Sequence, residues 1–463
     1  MFATDDTIVA IATPPGRGGI GVVRLSGPDA PRVASALVDY RGPLEPRHAT
    51  FARAVVPRDD APAGAPDSAR GAAIDQVVVT LFAAPASYTG EDVVEISGHG
   101  SPVLLQAIIR AAIAAGARLA RPGEFTLRAF LNGRIDLVQA EAVADLIEAA
   151  TPLQARLAFD QLEGTITQAL GGVDARLFDL VARLEASIDF SDEGYHFVEP
   201  RAAAREIAGA ADALAALLGD TGRGRLLREG RHVIIAGSPN AGKSSVFNYL
   251  AGAERAIVTP HEGTTRDLVS ERVDVLGASL TLVDTAGVRE TTHPIEREGV
   301  ARARGALASA DAVIVVLDRS RPLGDADRAL IDETARTPRV IVANKRDLPP
   351  AWDVAELGVE QAIETSMLTR EGAEALRPAI VRALASREDL RDTTGLSNIR
   401  QIDLATRAHA ALARARDAAI AAAPEEFVLA DLQAARAALE EITGARTTED
   451  VLRRIFERFC VGK

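Results

Sequence analysis

The stretch GSPNAGKSS at residues 237–245 constrains the fold of this chain more than any other segment. It fits the pattern G-x-x-x-x-G-K-[ST] of a phosphate-binding loop, follows the apolar run HVIIA and opens a helical pattern. In such a loop the glycines let backbone N–H groups face phosphate oxygens, and the helix N-terminus adds a partial positive charge. The stretch therefore predicts a strand, loop and helix in which Lys243 contacts the β- and γ-phosphates and Ser244 binds Mg²⁺.

Apolar runs and helical patterns alternate around this loop. The runs TLVDTAG, DAVIVVLD, RVIVANKRD and AIETS predict strands, and the alternation is typical of a parallel, doubly wound sheet. The blocks on either side are rich in Ala, Leu, Glu and Arg with a helical period, and in the second block Gly444 is predicted to stop a helix and Thr447 to cap the last one. The N-terminal part combines strand patterns, Pro/Gly loops and one amphipathic helix.

The predicted fold class is therefore a multidomain chain with α/β and all-α parts. An N-terminal α/β domain spans residues 1–122. A helical domain in two parts, 123–228 and 387–463, is interrupted by an inserted α/β domain at 229–386. A compact domain whose ends lie close together can be inserted in this way. The alternative is two independent helical domains flanking the α/β domain.

Two motifs between the first helix and the middle of the α/β domain concern the metal and the γ-phosphate. DTAG at 284–287 ends a predicted strand, where Asp284 would organise the Mg²⁺ shell and Gly287 would approach the γ-phosphate. GTTRD at 263–267 lies where a switch loop would place Thr265 on Mg²⁺.

The motif NKRD at 344–347 concerns the base. Asp347 can accept two hydrogen bonds from the ring N–H and exocyclic amine of guanine, a pair of donors that adenine lacks. Lys345 would pack its stem under the base, and Ser366 in TSM would cap it. In this order the motifs resemble those of the Ras-like, translation-factor-related GTPases and predict GTP as the ligand. The predicted nucleotide contacts are Asn240, Ala241, Gly242, Lys243, Ser244, Ser245, Thr259, Gly263, Thr264, Thr265, Asp284, Thr285, Ala286, Gly287, Asn344, Lys345, Asp347 and Ser366.

Hydrolysis needs a group that orients water, and the sequence shows an unusual solution. Val288 follows DTAG, where Ras and Gα proteins have a water-positioning glutamine. Asn240 offers a side-chain carbonyl near the phosphates, where a bound monovalent cation would supply positive charge worth up to ~10³–10⁵ in rate. The alternative is that Asn240 is a turn residue that tolerates an unusual φ.

Composition narrows the setting. The net charge of −13 argues against a body that coats nucleic acid, and no apolar stretch reaches the ~18 residues of a membrane span. The acidic start MFATDD does not fit a signal peptide, and the single cysteine excludes an intramolecular disulfide, so a cytoplasmic location is expected. Only three of the 52 basic residues are lysines, namely Lys243, Lys345 and Lys463, and two of these lie in the nucleotide motifs.

Long motifs outside the α/β domain identify a family. They are TIVAIATPPGRGGIGVVRLSG, SYTGEDVVEISGHG, ARPGEFTLRAFLNGRIDLVQAEAVADLIEA, EITGARTTEDVLRRIF and the terminal FCVGK. With the GTPase motifs they resemble the tRNA modification GTPase MnmE (TrmE) family from residue 7 to residue 463. The resemblance implies an N-terminal folate-binding and dimerising domain, a helical domain and an inserted GTPase domain.

The resemblance also implies the activity. With the FAD-dependent partner MnmG, in a heterotetramer, the family adds a carboxymethylaminomethyl-type group to C5 of the wobble uridine of certain tRNAs. A 5-formyl- or methylene-tetrahydrofolate is the implied one-carbon cofactor, and GTP hydrolysis drives opening and closing of paired GTPase domains in a homodimer. The alternative is a regulatory switch GTPase of ribosome assembly, like Era or Der, but these lack a folate-like N-terminal domain and FCVGK.

The matching positions imply site residues. Arg24, Glu95, Arg134 and Lys463 would bind the folate, with the catalytic candidate Cys460 beside its one-carbon unit. A buried, inert cysteine is the alternative for Cys460.

In the GTPase domain the family pattern implies potassium ligation by Asn240, Thr259, His261 and Thr264, with Thr259 and His261 acting through their backbone. The other catalytic candidates are Lys243 and Glu296, which would orient the attacking water through a second water. Pro260 restricts φ within the potassium loop and departs from the family pattern.

Overall fold

The structure is a computed structural model that describes residues 4–55, 73–189, 198–219, 231–252, 269–276, 278–284, 310–357, 362–384, 396–457 and 459–462. The chain forms two compact units. The first comprises Met1–Ala144, Leu162–Thr167 and Ala437–Lys463, and the second comprises Asp145–Gln161 and Gln168–Arg436. In the part of the chain that the structure describes, no helix is long and apolar enough to cross a membrane.

The strands in chain order are β1 (Ile8–Ile11), β2 (Gly18–Ser26), β3 (Ala49–Val55), β4 (Ala73–Phe82), β5 (Val93–Gly100), β6 (Arg118–Leu119), β7 (Arg231–Ala236), β8 (Val269–Val275), β9 (Ala278–Asp284), β10 (Ala312–Asp318), β11 (Arg339–Asn344) and β12 (Ala362–Glu364). The α-helices are α1 (Ala30–Leu37), α2 (Pro102–Ala114), α3 (Glu124–Leu131), α4 (Leu137–Glu148), α5 (Pro152–Leu162), α6 (Thr165–Asp189), α7 (Pro200–Gly219), α8 (Lys243–Ala251), α9 (Asp325–Glu333), α10 (Leu376–Leu384), α11 (Ile399–Ile420), α12 (Glu425–Thr443) and α13 (Glu449–Phe456).

The first unit contains a six-stranded sheet in the order β3-β4-β5-β2-β1-β6. Its strands alternate buried and accessible residues, because α1 and α2 cover only one face. That face buries Val23 and Leu25 of β2 with Val94 and Ile96 of β5. The intervening residues point to the other face, where the antiparallel register places Arg24 opposite Glu95.

A smaller apolar cluster in the first unit joins α3, α4 and α13. Gly444, in a left-handed conformation with φ of +94°, ends α12 as predicted. The predicted cap of the last helix was one residue early, because Thr448 is the N-cap of α13. Thr447 instead donates its hydroxyl to the carbonyl oxygen of Glu441 and so belongs to the preceding turn.

The second unit contains a helical bundle and the second sheet. Ion pairs tie α6 to α12 (Asp174 with Arg436) and α11 to α12 (Arg414 with Asp431), and α7 packs along α11. In the sequence, the strands of the second sheet therefore lie between α7 and α11, and these two helices pack against each other. This is the arrangement that an inserted domain requires, while the boundaries near residues 122, 228 and 386 stay predictions.

The second sheet has the order β12-β11-β10-β7-β9-β8. Helices cover both of its faces, α8 and α10 on one and α9 on the other. All seven residues of β10 are buried, which explains its uninterrupted apolar run. The five strands predicted for this sheet are parallel to one another. The sequence analysis missed the edge strand β8, which pairs antiparallel with β9. Only residues 276 and 277 separate these strands, and so short a connection permits only an antiparallel hairpin. The predicted fold class is otherwise confirmed.

Candidate functional site

The loop between β7 and α8 is shaped by two glycines. Gly242 has a φ of +104°, and a Cβ there would lie 2.1 Å from Nδ2 of Asn344. A Cβ on Gly237 would lie 2.2 Å from the carbonyl oxygen of Val316 on β10. Both distances are far shorter than a nonbonded contact, so neither position accepts a side chain. The loop is therefore a close-fitting backbone cradle of the kind that binds phosphate.

Two side chains of this loop have special conformations. Lys243 is buried, and its Nζ donates hydrogen bonds to the carbonyl oxygens of Gly237 at 2.9 Å and Ser238 at 3.1 Å. The ammonium is thus held inside the loop. Asn240 adopts a left-handed conformation with φ of +63°, so its role as a turn residue is visible in the backbone. A cation-binding role for Asn240 stays a prediction.

The predicted base-recognition residues converge at the ends of β11 and β12. Asn344 donates from Nδ2 to the carbonyl oxygen of Ala241 at 2.9 Å and accepts from the backbone N–H of Met367 at 3.1 Å. Ser366 donates its hydroxyl to Oδ1 of Asp347 at 2.5 Å. Asn344 therefore links the phosphate loop to the loop that carries Ser366, and Ser366 orients the carboxylate that would read the base.

Lys345 has a partner that the sequence analysis missed. Its Nζ lies 2.6 Å from Oδ2 of Asp318, the last residue of β10. Burial by itself raises the pKa of Asp318, but hydrogen bonds from Lys345 and Ser320 outweigh this and keep the pKa below its usual value. Asp318 is therefore ionised at neutral pH and fixes the Lys345 ammonium at the carboxyl end of β10. An acidic residue ending a fully apolar strand was the signal that could have identified it.

Several predicted contacts lie outside the described residues, namely Thr259, His261, Gly263, Thr264, Thr265, Thr285, Ala286, Gly287, Glu296 and Lys463. The backbone of Asp284 ends β9 and pairs with Ile235 of β7. Ser244 and Ser245 follow Lys243 in the first turn of α8. Among the described residues no group of three or more His, Cys, Asp or Glu side chains could hold a metal ion.

The first unit brings two of the predicted folate residues together. Arg24 binds Oε1 of Glu95 through Nε at 2.9 Å and Nη2 at 2.8 Å. The guanidinium lies 5.8 Å from the ring centres of both Tyr88 and Phe125. Burial raises the pKa of the Tyr88 phenol, although its hydrogen bond with Thr126 and the charge of Arg24 oppose this. Neither aromatic residue was singled out from the sequence.

The C-terminal tail reaches the same place. Nη1 of Arg24 donates to the carbonyl oxygen of Gly462 at 3.3 Å, and the carbonyl oxygen of Cys460 accepts from the N–H of Gly123 at 3.3 Å. Gly462 has a φ of +98°, and a Cβ there would lie 2.3 Å from the carbonyl oxygen of Ile11. Cys460 is exposed, so the alternative is wrong about its burial, and a chemical role for its thiol stays a prediction.

Arg134 is placed less directly. Its side chain is exposed, and its Cγ lies 3.1 Å from the position of a Cβ on Gly90, so the stem runs along the loop between β4 and β5. Nearby, Asn132 donates to the carbonyl oxygen of Thr89 at 2.7 Å. Within the described part of the chain, no hydrogen bond joins Arg134 to Arg24 or Glu95. Its role at the folate site stays a prediction.

Comparison with known proteins places the chain. Residues 7–134 match the family described as GTP-binding protein TrmE N-terminus, and residues 137–460 match the MnmE helical domain. The tRNA modification GTPase MnmE of Koribacter versatilis is 46% identical over 463 residues, covering 99% of both chains. The protein of the same name from Thermus thermophilus is 43% identical over 458 residues, again covering 99% of both.

The chain belongs to the MnmE family of tRNA modification GTPases. Among solved structures, Aquifex aeolicus Era Y63A bound to GDP.AlF4- is 25% identical over 39% of this chain and 66% of its own, with a TM-score of 0.28. The region 137–460, which matches the MnmE helical domain, contains both the phosphate loop and the base-recognition loop.

Proposed function

We propose that this chain binds and hydrolyses GTP in order to modify tRNA. The proposal depends chiefly on its relationship to the MnmE relatives, which covers nearly the whole of both chains. The reaction is addition of a carboxymethylaminomethyl-type group at C5 of the wobble uridine. An FAD-dependent MnmG-type protein is the proposed partner, in a heterotetramer built on a homodimer of this chain. The proposed location is the cytoplasm.

The nucleotide site supports the GTP part of the proposal. Ser366 orients Asp347, whose carboxylate oxygens would accept the two donors of guanine. Asp318 binds the ammonium of Lys345, whose stem would lie against the base. The two-glycine cradle leaves backbone N–H groups for the phosphates. The buried ammonium of Lys243 donates to two neutral carbonyl oxygens, and phosphate oxygens would be stronger acceptors than these.

Metal ions are part of the proposed site. Ser244 and Thr265 would hold Mg²⁺, and Asn240, Thr264 and the backbone of Thr259 and His261 would hold K⁺. These cations would supply positive charge that stabilises the transferring phosphoryl group. Ser244 lies in the first turn of α8, next to Lys243, and Asn240 lies exposed on the loop before this helix. Glu296 is the proposed water-orienting group.

The folate part of the proposal rests on Arg24 and Glu95. Oε1 of Glu95 accepts both contacts from Arg24, and among the described residues Oε2 accepts no hydrogen bond. Oε2 is therefore available for the amide-like donors of a pterin, and the flanking rings of Tyr88 and Phe125 suit a flat heterocycle. Arg24, Arg134 and Lys463 would bind the carboxylates of the folate. The exposed thiol of Cys460 would lie beside the one-carbon unit.

Substitution of Arg24 by Ala is expected to weaken binding of 5-formyltetrahydrofolate by roughly tenfold to a hundredfold, because it also releases Glu95 and Gly462. Isothermal titration of the purified chain measures this. Arg53→Ala is the matched control, since Arg53 lies on β3 of the same sheet and pairs with Asp39. Folate affinity unchanged in Arg24→Ala would place the folate elsewhere.

The tRNA activity is tested by mass-spectrometric nucleoside analysis of bulk tRNA. Cells depleted of this chain are compared with the same cells supplied with it again. We expect C5-aminomethyl-type wobble uridines to disappear on depletion and to return on resupply. Persistence of these nucleosides, with accumulation of unjoined ribosomal subunits, would favour the ribosome-assembly switch instead.

A further inference from the structure

A buried carboxylate contacts the phosphate loop from a neighbouring helix. Asp327 lies in the first turn of α9 and is only 5% exposed. Its Oδ1 accepts a hydrogen bond from the hydroxyl of Ser238, the second residue of the phosphate loop. Its Oδ2 accepts the backbone N–H of Gly324 at 3.1 Å. One carboxylate thus joins the loop after β7 to the start of the helix that follows β10.

Ser238 is held from two directions. Its hydroxyl is fixed by Asp327, and its carbonyl oxygen accepts from Nζ of Lys243 at 3.1 Å. The carbonyl of Gly237, one residue earlier, accepts from the same ammonium at 2.9 Å. Ser238 therefore links the Asp327 carboxylate to the Lys243 ammonium through the first half of the loop.

The charge of Asp327 makes this contact informative. Burial of a carboxylate is unfavourable unless its oxygens are hydrogen-bonded, and a negative charge close to a phosphate site repels the ligand. A neutral side chain would avoid both effects. The compensating contribution is geometric, since one carboxylate accepts two donors from two different segments and fixes their separation.

We propose that Asp327 is a positioning residue for the phosphate-binding loop and acts through Ser238. The inference rests on the proposed function, because it assumes that the loop binds GTP. The Ser238–Asp327 contact orders the loop before the nucleotide arrives, so less conformational entropy is lost on binding. The backbone N–H groups of the loop would face the β-phosphate, which GTP and GDP share, so the contact is expected to contribute similarly to the affinity for both.

The test compares four variants for affinity toward fluorescent GTP and GDP analogues and for kcat and KM of GTP hydrolysis. Ser238→Ala removes only the loop contact, and Asp327→Asn also weakens the acceptor for Gly324. We expect each to weaken both nucleotides by about tenfold, raising KM and leaving kcat within about twofold. Ser238→Thr keeps the hydroxyl and is expected to bind like the unaltered chain. Asp332→Asn, an exposed carboxylate on the same helix, is the matched control.

A double variant separates positioning from other roles. In the double variant Ser238→Ala/Asp327→Asn, the loss of affinity is expected to be smaller than the sum of the two single losses, because both changes weaken the same contact. Tighter binding in Asp327→Asn with no change in Ser238→Ala would show that the carboxylate acts only by repulsion and would overturn the proposal. Unchanged affinity in both variants would also overturn it. Absence of GTP binding by the unaltered chain would instead refute the proposed function.

Discussion

Substitution of Asp347 by Asn is expected to lower the affinity for GTP by roughly a hundredfold or more and to create affinity for xanthosine triphosphate. The carboxylate accepts two donors from guanine, whereas an amide offers one acceptor and one donor. Xanthine carries a carbonyl where guanine carries the exocyclic amine, so it matches the amide. Ser366 still donates to the side-chain oxygen at position 347 and keeps the group oriented. Competition binding with GTP, ATP and xanthosine triphosphate measures the change.

Asp332→Asn is the control for this prediction, since it makes the same chemical change on the exposed face of α9. It should leave all three affinities as they are in the unaltered chain. If Asp347→Asn kept the preference for GTP of the unaltered chain, the prediction that Asp347 recognises guanine would be wrong. This conclusion would not depend on the results for the Ser238 and Asp327 variants.

Substitution of Lys243 is expected to reduce kcat/KM for GTP hydrolysis by roughly a hundredfold to a thousandfold. The ammonium is buried in the loop, between the carbonyl oxygens of Gly237 and Ser238. Lys243→Ala removes the charge. Lys243→Arg keeps the charge but replaces a compact ammonium by a planar, wider group that the cradle cannot accommodate. Both variants are therefore expected to show the reduced kcat/KM. Steady-state phosphate release measures the effect.

The control for Lys243→Arg is Arg328→Lys, which exchanges the same two residue types at an exposed position of α9. It should hydrolyse GTP at the unaltered rate. Circular dichroism confirms that each variant is folded before the rates are compared. Near-normal hydrolysis by Lys243→Arg would mean that the site needs only a positive charge at this position. A lysine at position 243 would then not be a requirement of the loop.

Local patterns were sufficient for the elements that carry the nucleotide site. Glycine spacing in the 237–245 stretch predicted a loop between a strand and a helix, and the structure places that loop between β7 and α8. The motifs at 344–347 and 365–367 follow β11 and β12, which are adjacent parallel strands. Their carboxyl ends meet at one edge of the sheet, so two motifs separate in sequence become neighbours.

Local patterns were insufficient for the edge strand β8 and for the N-cap of the last helix. In the segment that forms β8 and β9, only β9 was predicted from the sequence, and β8 was missed. The short turn between the two strands makes them an antiparallel pair at the edge of the sheet. The predicted cap at Thr447 failed for a similar reason, since adjacent threonines both favour the cap position and the turn after Gly444 selected Thr448.

What the sequence determined by itself was the chemistry that the chain carries: a phosphate loop, a guanine-reading motif and a family-specific tail. What only the tertiary structure decided was which side chains meet. Arg24 and Glu95 are 71 residues apart and Ser238 and Asp327 are 89 apart. Turns and periodicity depend on neighbouring residues, so they can be predicted locally. Pairs across strands and helices depend on register and packing of distant segments, and a shift of one residue in either strand would have turned Arg24 or Glu95 to the other face.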